Sequence, residues 1–501
     1  MTIEEHQKQG FLLRIFPQFP LVKVAAACIV AAFYFFGLTI PLVGPDEPRY
    51  AQVAREMYLR GDWITPTLGG FHWFEKPALL YWLQIVSYHL FGINEFAARF
   101  GPALFGLGTI AAIYVICRES ENASGSSEKI SFAELAALMA ATSLGIIVFS
   151  RGASFDIILT FPLTASLACF YRYYRNNSAG WLTGFYIFAG VSTLAKGLVG
   201  VVFPFAIVFA FYAILRRRPV RFEIISLFWG TAIVFLVAAI WYLPMYQRHG
   251  WEFIDEFFIQ HHFRRYTTNQ YFHPQPFYFF FWVLPLMTLP WLPFFFAEFY
   301  GLTRIFLKRV KSSAFNDLEV FAVVWTAVPL LFFSFSGSKL PGYILPSLPP
   351  AVILSAFAAK RFITNGRNGL KIILSIASAT IIFSITLLLT VVPKFADDDS
   401  LKRLISEADA AGYGNLNIVG LHGVFHNAEF YAAGRLVRTS DGKQKKLYGV
   451  GELQTETDAA GGRILVLVPN EYAGQIADSP VLNAKLIARN SETALFVVSR
   501  P

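Results

Sequence analysis

Long apolar runs separated by short polar breaks fill the first four-fifths of the chain. Runs close to the roughly 20 residues that cross a bilayer as a helix cover 21–40, 98–117, 132–150, 155–173, 181–196, 198–215, 223–243, 277–299, 318–335, 342–360 and 371–392. The segment "KPALLYWLQIVSYHLFG" (76–92) sits between a short span and an interfacial helix. Four breaks are basic: "YRYYRNN" (171–177), "RRRPVR" (216–221), "RIFLKRVK" (304–311) and "AKRFITNGRNGLK" (359–371). Short loops rich in Lys and Arg stay on the cytoplasmic side. The opposite breaks, 41–75, 151–156, 244–276 and 334–342, then fall outside. With residues 1–20 as a cytoplasmic N-terminus, eleven spans alternate in agreement with every one of these sides. The expected total is odd: eleven, or thirteen if two shorter segments also cross. Residues 1–20 are mixed and polar, and no small-residue cleavage site follows the first run, so 21–40 is expected to be a retained span.

The pattern changes at 394. From there the chain is polar, and short β-like runs such as "NIVGL", "ILVLVP" and "TALFVVS" alternate with helical ones. This predicts a small α/β domain over 394–501, on the outer face. The expected fold is an all-α polytopic membrane protein over 21–393, with about 11–13 spans and outer loops 41–75 and 244–276, followed by that domain. No internal repeat and no Gly-rich phosphate loop is evident.

Composition sharpens this picture. Hydrophobic residues make up 55% of the chain and charged residues 15%, against about 25% charged in a soluble domain. The net charge of +9 invites a nucleic-acid reading, but its distribution excludes one. Residues 394–501 hold 12 Lys and Arg against 13 Asp and Glu, so the excess lies in the loops between spans. Cys28, Cys117 and Cys169 all lie in apolar runs and form neither a disulfide framework nor a metal-type spacing.

Candidate chemistry gathers on the outer side. "GPDEPRYAQVAREM" (44–57) places Asp46, Glu47, Arg49 and Tyr50 where the first span surfaces, opening an amphipathic helix with Tyr50, Val53 and Met57 on one face. An acid at a helix start is electrostatically favoured, so an N-capped helix lying on the membrane accounts for part of this pattern. The other outer breaks contribute His72, Glu75, Lys76 and Tyr81; Asp156; Lys196; His261, His262, Arg264, Arg265 and His273; and Lys339 with Tyr343. Charge at membrane depth is costly and marks function or pairing. Two separated carboxylates with several cations suit a lipid-linked phosphosugar: cations hold the phosphate and stabilise its charge as it leaves, and a carboxylate orients or deprotonates the acceptor. Snorkelling lysines and aqueous loop histidines are the plainer account of the same residues. A transporter would place charges at the bilayer midplane and show repeated halves, and a scaffold would have no use for them.

The stretches "DEPRYAQVAREM", "GDWITPTLGG", "FEKPALLYWL", "RGASFDIIL", "LAKGLVG", "HHFRRY" and "FSGSKLPGYILPSLPP" resemble, in order, the bacterial aminoarabinose transferases of lipid A. Those enzymes belong to the GT-C superfamily, alongside protein O-mannosyltransferases. The resemblance implies an inverting glycosyltransferase in the bacterial inner membrane, working on the periplasmic side; the sequence shows no sign of oligomerisation, so a monomer is expected. Its donor would be a polyprenyl-phosphate sugar and its acceptor lipid A or another glycolipid; a Ser/Thr hydroxyl of a protein is the alternative. It implies Asp46 and Asp156 as the catalytic acids, and Lys76 with Arg265 at the lipid phosphate. Glu47, Arg49, Tyr50, Tyr81, Lys196, Lys339 and Tyr343 would surround the same cavity. No cofactor is required, although Glu75 and His262 match positions that hold a metal ion in a relative. The family's "FEKPPL" reads "FEKPAL" here. Which sugar moves is left open among aminoarabinose, a uronic acid, mannose and other hexoses.

Overall fold

The computed structural model describes residues 20–121, 130–264, 275–307 and 316–500. Among them, six helices are long and apolar enough to cross a membrane, and four shorter helices are also apolar. The chain is a multi-pass membrane protein. Its lipid-facing helices identify themselves by what they expose: Phe228, Phe235 and Leu236 on α10 (Arg221–Ile254), and Ile382, Phe383 and Leu389 on α15 (Gly369–Asp399). Such surface would be unfavourable in water and is at home in hydrocarbon. The centre of the bundle is α7 (Phe155–Asn176), buried along most of its length between α4 (Glu95–Glu121) and α8 (Ala179–Lys196). The borderline segment forms α3 (Leu79–Phe91), with Leu80, Tyr81, Gln84, Ile85 and Tyr88 buried.

Two runs that read as continuous spans are broken. Residues 132–150 form α5 (Phe132–Ala141) and α6 (Leu144–Phe149), and residues 277–299 form α11 (Phe279–Met287) and the start of α12 (Leu292–Leu307). The breaks satisfy each other. The N–H of Leu144 donates to the Leu289 carbonyl at 2.8 Å, and Trp291 Nε1 donates to Thr142 Oγ1 at 3.1 Å. Backbone groups freed at membrane depth need partners of this kind.

The first outer helix, α2 (Asp46–Arg60), is not laid on the membrane as expected. Its preceding residue, Pro45, supplies no side-chain cap, and Glu47, Tyr50, Val53, Ala54 and Met57 are buried. Glu47 is a fastener. Its carboxylate accepts from Arg99 at 2.6 and 3.0 Å and from the N–H groups of Val43 (2.9 Å) and Ala153 (2.6 Å). Arg99 also donates to the carbonyls of Leu38, Ile40 and Pro41, so the chain leaving the first span is wound around one guanidinium. Both side chains are under 10% exposed. Removing one partner of a buried pair leaves the other charge uncompensated, at about 3–5 kcal/mol. Glu47→Ala is therefore expected to destabilise the fold by about 3 kcal/mol, measured as a lowered midpoint of unfolding in detergent.

Beyond α15, the chain forms a five-stranded sheet whose strands lie in the order Lys446–Leu447, Ile418–Leu421, Arg463–Pro469, Thr493–Ser499, Asn483–Arg489. Its strands are β3 (Ile418–Leu421), β4 (Lys446–Leu447), β5 (Arg463–Pro469), β6 (Asn483–Arg489) and β7 (Thr493–Ser499). β4, β3 and β5 are parallel, and β7 and β6 are antiparallel additions. Alternate residues fill two cores: Leu465, Leu467 and Leu495 on one face, Val466, Val468 and Phe496 on the other. This domain docks onto the end of the bundle where α2 begins. Tyr431 accepts from the Leu42 N–H at 2.7 Å and donates to Glu95 at 3.2 Å, Lys402 pairs with Glu95 at 2.7 Å, and Arg55 donates to the Phe430 carbonyl at 3.2 Å. Arg438, held by Glu429 at 2.6 and 2.7 Å, packs against the turn at Gly69 in the first outer loop.

Candidate active site

A cavity of about 330 Å³ lies where these elements meet. Asp46 and Tyr50 reach it from α2, Glu75 and Lys76 from the loop before α3, and Asp156 from the first turn of α7. Lys196 closes α8, and Tyr343 stands on the 3-10 turn Pro341–Ser347. His261, Ser154, Ser336 and Ser338 complete the polar lining, and Leu198, Phe332, Phe333 and Leu340 contribute apolar surface. Residues up to 297 positions apart in sequence thus share one pocket, lined by both charged and apolar side chains.

The charges are organised as neighbouring pairs. Asp156 bonds Lys196, whose Nζ also lies 4.7 Å from the centre of the Tyr343 ring. Glu75 accepts from Lys76 at 2.8 Å. Asp46 accepts from Arg49, which also donates to the Pro45 carbonyl at 2.9 Å and stacks over Trp73. Exposure separates the two catalytic candidates: the Asp46 side chain is 47% exposed, and that of Asp156 is 18%. Asp156 also depends on a neighbour without a side chain. A Cβ at Gly342 would overlap the Asp156 carboxylate, so only glycine lets the "KLPGY" turn close over it. Tyr50 and Tyr81 meet the Phe155 ring edge-on at 4.9 and 5.4 Å, bracing the residue next to Asp156.

Asp46, Tyr50, Glu75, Lys76, Asp156, Lys196 and Tyr343 are thus brought together. Glu47, Arg49, Tyr81 and Lys339 stand behind the lining; the buried Lys339 donates to the Ser336 carbonyl at 2.6 Å. Arg265 and His273 lie outside the described residues, as does the side chain of His262. The metal expectation therefore rests here on Glu75 alone, whose carboxylate already serves Lys76.

One residue absent from the sequence reading approaches from the C-terminal domain. His426 is placed so that Arg49, Arg438, Asp46 and Glu75 all act on it electrostatically, and its Nδ1 is buried without a hydrogen-bond partner among the described residues. Burial, reinforced by Arg49 and Arg438 and only partly opposed by Asp46 and Glu75, lowers its pKa from the ordinary 6.5 to about 4. Nothing in "VFHNAEF" marks it, because Asp46, Arg49 and Glu75 lie more than 350 positions away and only Arg438 is near in sequence. The unfolded chain takes up the proton first as pH falls from about 6.5 to about 4, so stability is lost across that window and recovered above it. His426→Gln is expected to flatten the fall in thermal midpoint between pH 7 and pH 5; an unchanged slope would assign the acid sensitivity to other groups.

Comparison with known proteins follows the same lines. Residues 25–254 match the family model described as dolichyl-phosphate-mannose-protein mannosyltransferase. The chain is 32% identical over 349 residues to the undecaprenyl phosphate-alpha-4-amino-4-deoxy-L-arabinose arabinosyl transferase of Yersinia enterocolitica, an alignment covering 67% of this chain and 59% of the relative. It is 30% identical to the protein of that name from Serratia proteamaculans, over 67% and 60%. The chain thus spans about three-fifths of the length of these curated relatives. In structure it superposes on ArnT from Cupriavidus metallidurans, solved bound to undecaprenyl phosphate, with a TM-score of 0.72 at 21% identity, covering 95% of this chain and 97% of that one. The archaeal oligosaccharyltransferase AglB from Archaeoglobus fulgidus follows at a TM-score of 0.54 and 13% identity, over 92% and 72%. The helical bundle with a small C-terminal sheet domain therefore has the GT-C fold, and the chain is a multi-pass membrane protein similar in sequence to bacterial aminoarabinose transferases and, over 25–254, to the protein mannosyltransferase family model.

Proposed function

We propose that this chain is an inverting glycosyltransferase of the bacterial inner membrane. It moves a sugar from a polyprenyl-phosphate donor to lipid A or another glycolipid at the periplasmic face, and it acts as a monomer. One observation carries the reading: Asp46, Asp156, Lys76 and Lys196 line a single cavity together with apolar side chains. Lys76 and Lys196 suit the donor phosphate and the negative charge that develops on it. The acceptor hydroxyl gives its proton to Asp46, its oxygen attacks the anomeric carbon, and the sugar–phosphate bond breaks with its electron pair leaving on the polyprenyl phosphate. One displacement inverts that carbon. The names of the relatives support undecaprenyl phosphate as the carrier and aminoarabinose as the sugar. The family match to a protein mannosyltransferase supports a second reading, in which the acceptor is a Ser or Thr hydroxyl. Arg265 beside Lys76 at the phosphate, and a divalent ion on Glu75 and His262, belong to the proposal by resemblance; the chemistry above requires no cofactor.

Mass spectrometry of lipid A and surface glycans from cells with and without the chain tests this. One sugar-sized mass increment, present only with the chain, is the expected result. Unchanged glycolipids with altered glycoproteins would move the acceptor to protein, and no change in either would overturn the reading.

A further inference from the structure

A separate constellation stands on the outer face, beside the cavity and not in its lining. In the first outer loop, Thr67–Leu68 and Phe71–His72 pair as a two-stranded hairpin ending on His72. Opposite it, His249 and Glu252 flank Gly250, where φ of +55° and ψ of −129° interrupt the helix in a conformation that glycine adopts without strain. One ligand-capable atom from each of His72, His249 and Glu252 falls within 4.8 Å of the other two. His72 Nδ1 lies 3.1 Å from Glu252 Oε1, and the two imidazole rings are 4.6 Å apart between centres.

The surroundings hold these side chains in place. Phe74 stacks on His72 at 4.9 Å and abuts His249 at 5.0 Å. Thr65 Oγ1 bonds His249 Nε2 at 2.9 Å, fixing one ring nitrogen and leaving the other to define the tautomer. Arg248, next to His249 in sequence, is engaged by Asp62 at 2.8 Å, so its charge is offset. Two imidazoles and one carboxylate are the donor set of an open tetrahedral zinc site, with a water in the fourth position. Tetrahedral ligands about 2.0–2.1 Å from zinc stand roughly 3.3 Å apart. The observed spacing closes to that value by small rotations, which the exposed side chains of His72 and Glu252 permit.

We propose that His72, His249 and Glu252 bind a divalent transition ion of the zinc class, clamping the first outer loop to the segment 244–264. That segment delivers His261 to the cavity, so the clamp fixes how the cavity is closed on that side. It is distinct from the Glu75 and His262 pair and independent of which sugar moves. The purely structural account, a His72–Glu252 ion pair, needs neither His249 nor a metal.

The test uses tag-free, full-length protein in detergent, stripped with a chelator and titrated with zinc chloride, bound metal being read by elemental analysis after equilibrium dialysis. In the Glu75→Gln background, where the Glu75 and His262 pair no longer offers a second site, one equivalent is expected, and the histidine variants are read in that background. Loss of an outer-shell partner already costs about 10–100-fold in metal affinity, so loss of a direct ligand in His72→Asn or His249→Asn is expected to cost at least about 100-fold. Glu75→Gln should leave affinity unchanged. Absence of zinc binding by the parent protein overturns the proposal, as does binding that survives both histidine variants or disappears with Glu75→Gln. Metal content is read without any transfer assay, so this outcome and that of the transferase reading are separable. Circular dichroism of the metal-free variants shows whether a loss of binding is a loss of fold; for a variant that fails to fold, Glu252→Gln takes its place under the same criterion.

Discussion

Asp46→Asn is expected to lower sugar transfer by about 10³ while leaving donor-lipid binding within about twofold of the parent. The substitution keeps the shape of the side chain and its bond from Arg49, with the carbonyl oxygen as acceptor, and removes the capacity to take a proton. Positioned general bases contribute about 10²–10⁴, and Asp46 is the more exposed of the two carboxylates, the one an incoming hydroxyl can approach. Phosphate recognition is assigned to Lys76 and Lys196 and is untouched. Transfer kinetics and donor-lipid binding on one preparation separate the effects. A parallel loss of binding would make Asp46 a packing residue, and retained transfer would move the base elsewhere.

Lys196→Met is expected to cost about 10²–10³ in transfer, through two linked effects. The ammonium that would face the donor phosphate is gone, and Asp156 is left without its cation in a site where Gly342 already crowds the carboxylate. An unpaired, mostly buried carboxylate either repels an anionic donor or takes up a proton. The pair is expected to act as a unit, so Asp156→Asn and Lys196→Met together should cost little more than the worse single change. Additive losses in that cycle would show that the two side chains serve separate steps. Binding of the donor lipid should weaken in Lys196→Met and not in Asp46→Asn, which distinguishes the cation from the base.

How legible this was in the sequence depended on the length scale of the interaction. Asp46, Asp156, Lys76 and Lys196 stand out because each is a charge at the end of an apolar run, where solubility does not call for one. Their convergence followed from assigning every outer loop to one side. Partner choice could not be read this way. Glu47 sits beside Asp46 and looks like half of a catalytic pair, but its carboxylate belongs to Arg99, which lay unnoticed inside an apolar run. The broken spans at 142–143 and 288–291 are hidden in the sequence because hydrophobicity continues through each break; the bonds of Leu144 to Leu289 and of Trp291 to Thr142 supply the partners that the breaks require. His426 and Gly342 act through contacts that no local pattern encodes.

The docking of the C-terminal sheet onto the first outer loop also orders events in biosynthesis. His426 and Arg438 are made almost 400 residues after Asp46, a lag of roughly 20–80 s at about 5–20 residues per second. During that interval the nascent chain carries Asp46 with no sheet domain beside it. A transferase assembled in this order would acquire its competence only at the end of translation, after the bundle that must guide a lipid into it is already threaded through the bilayer.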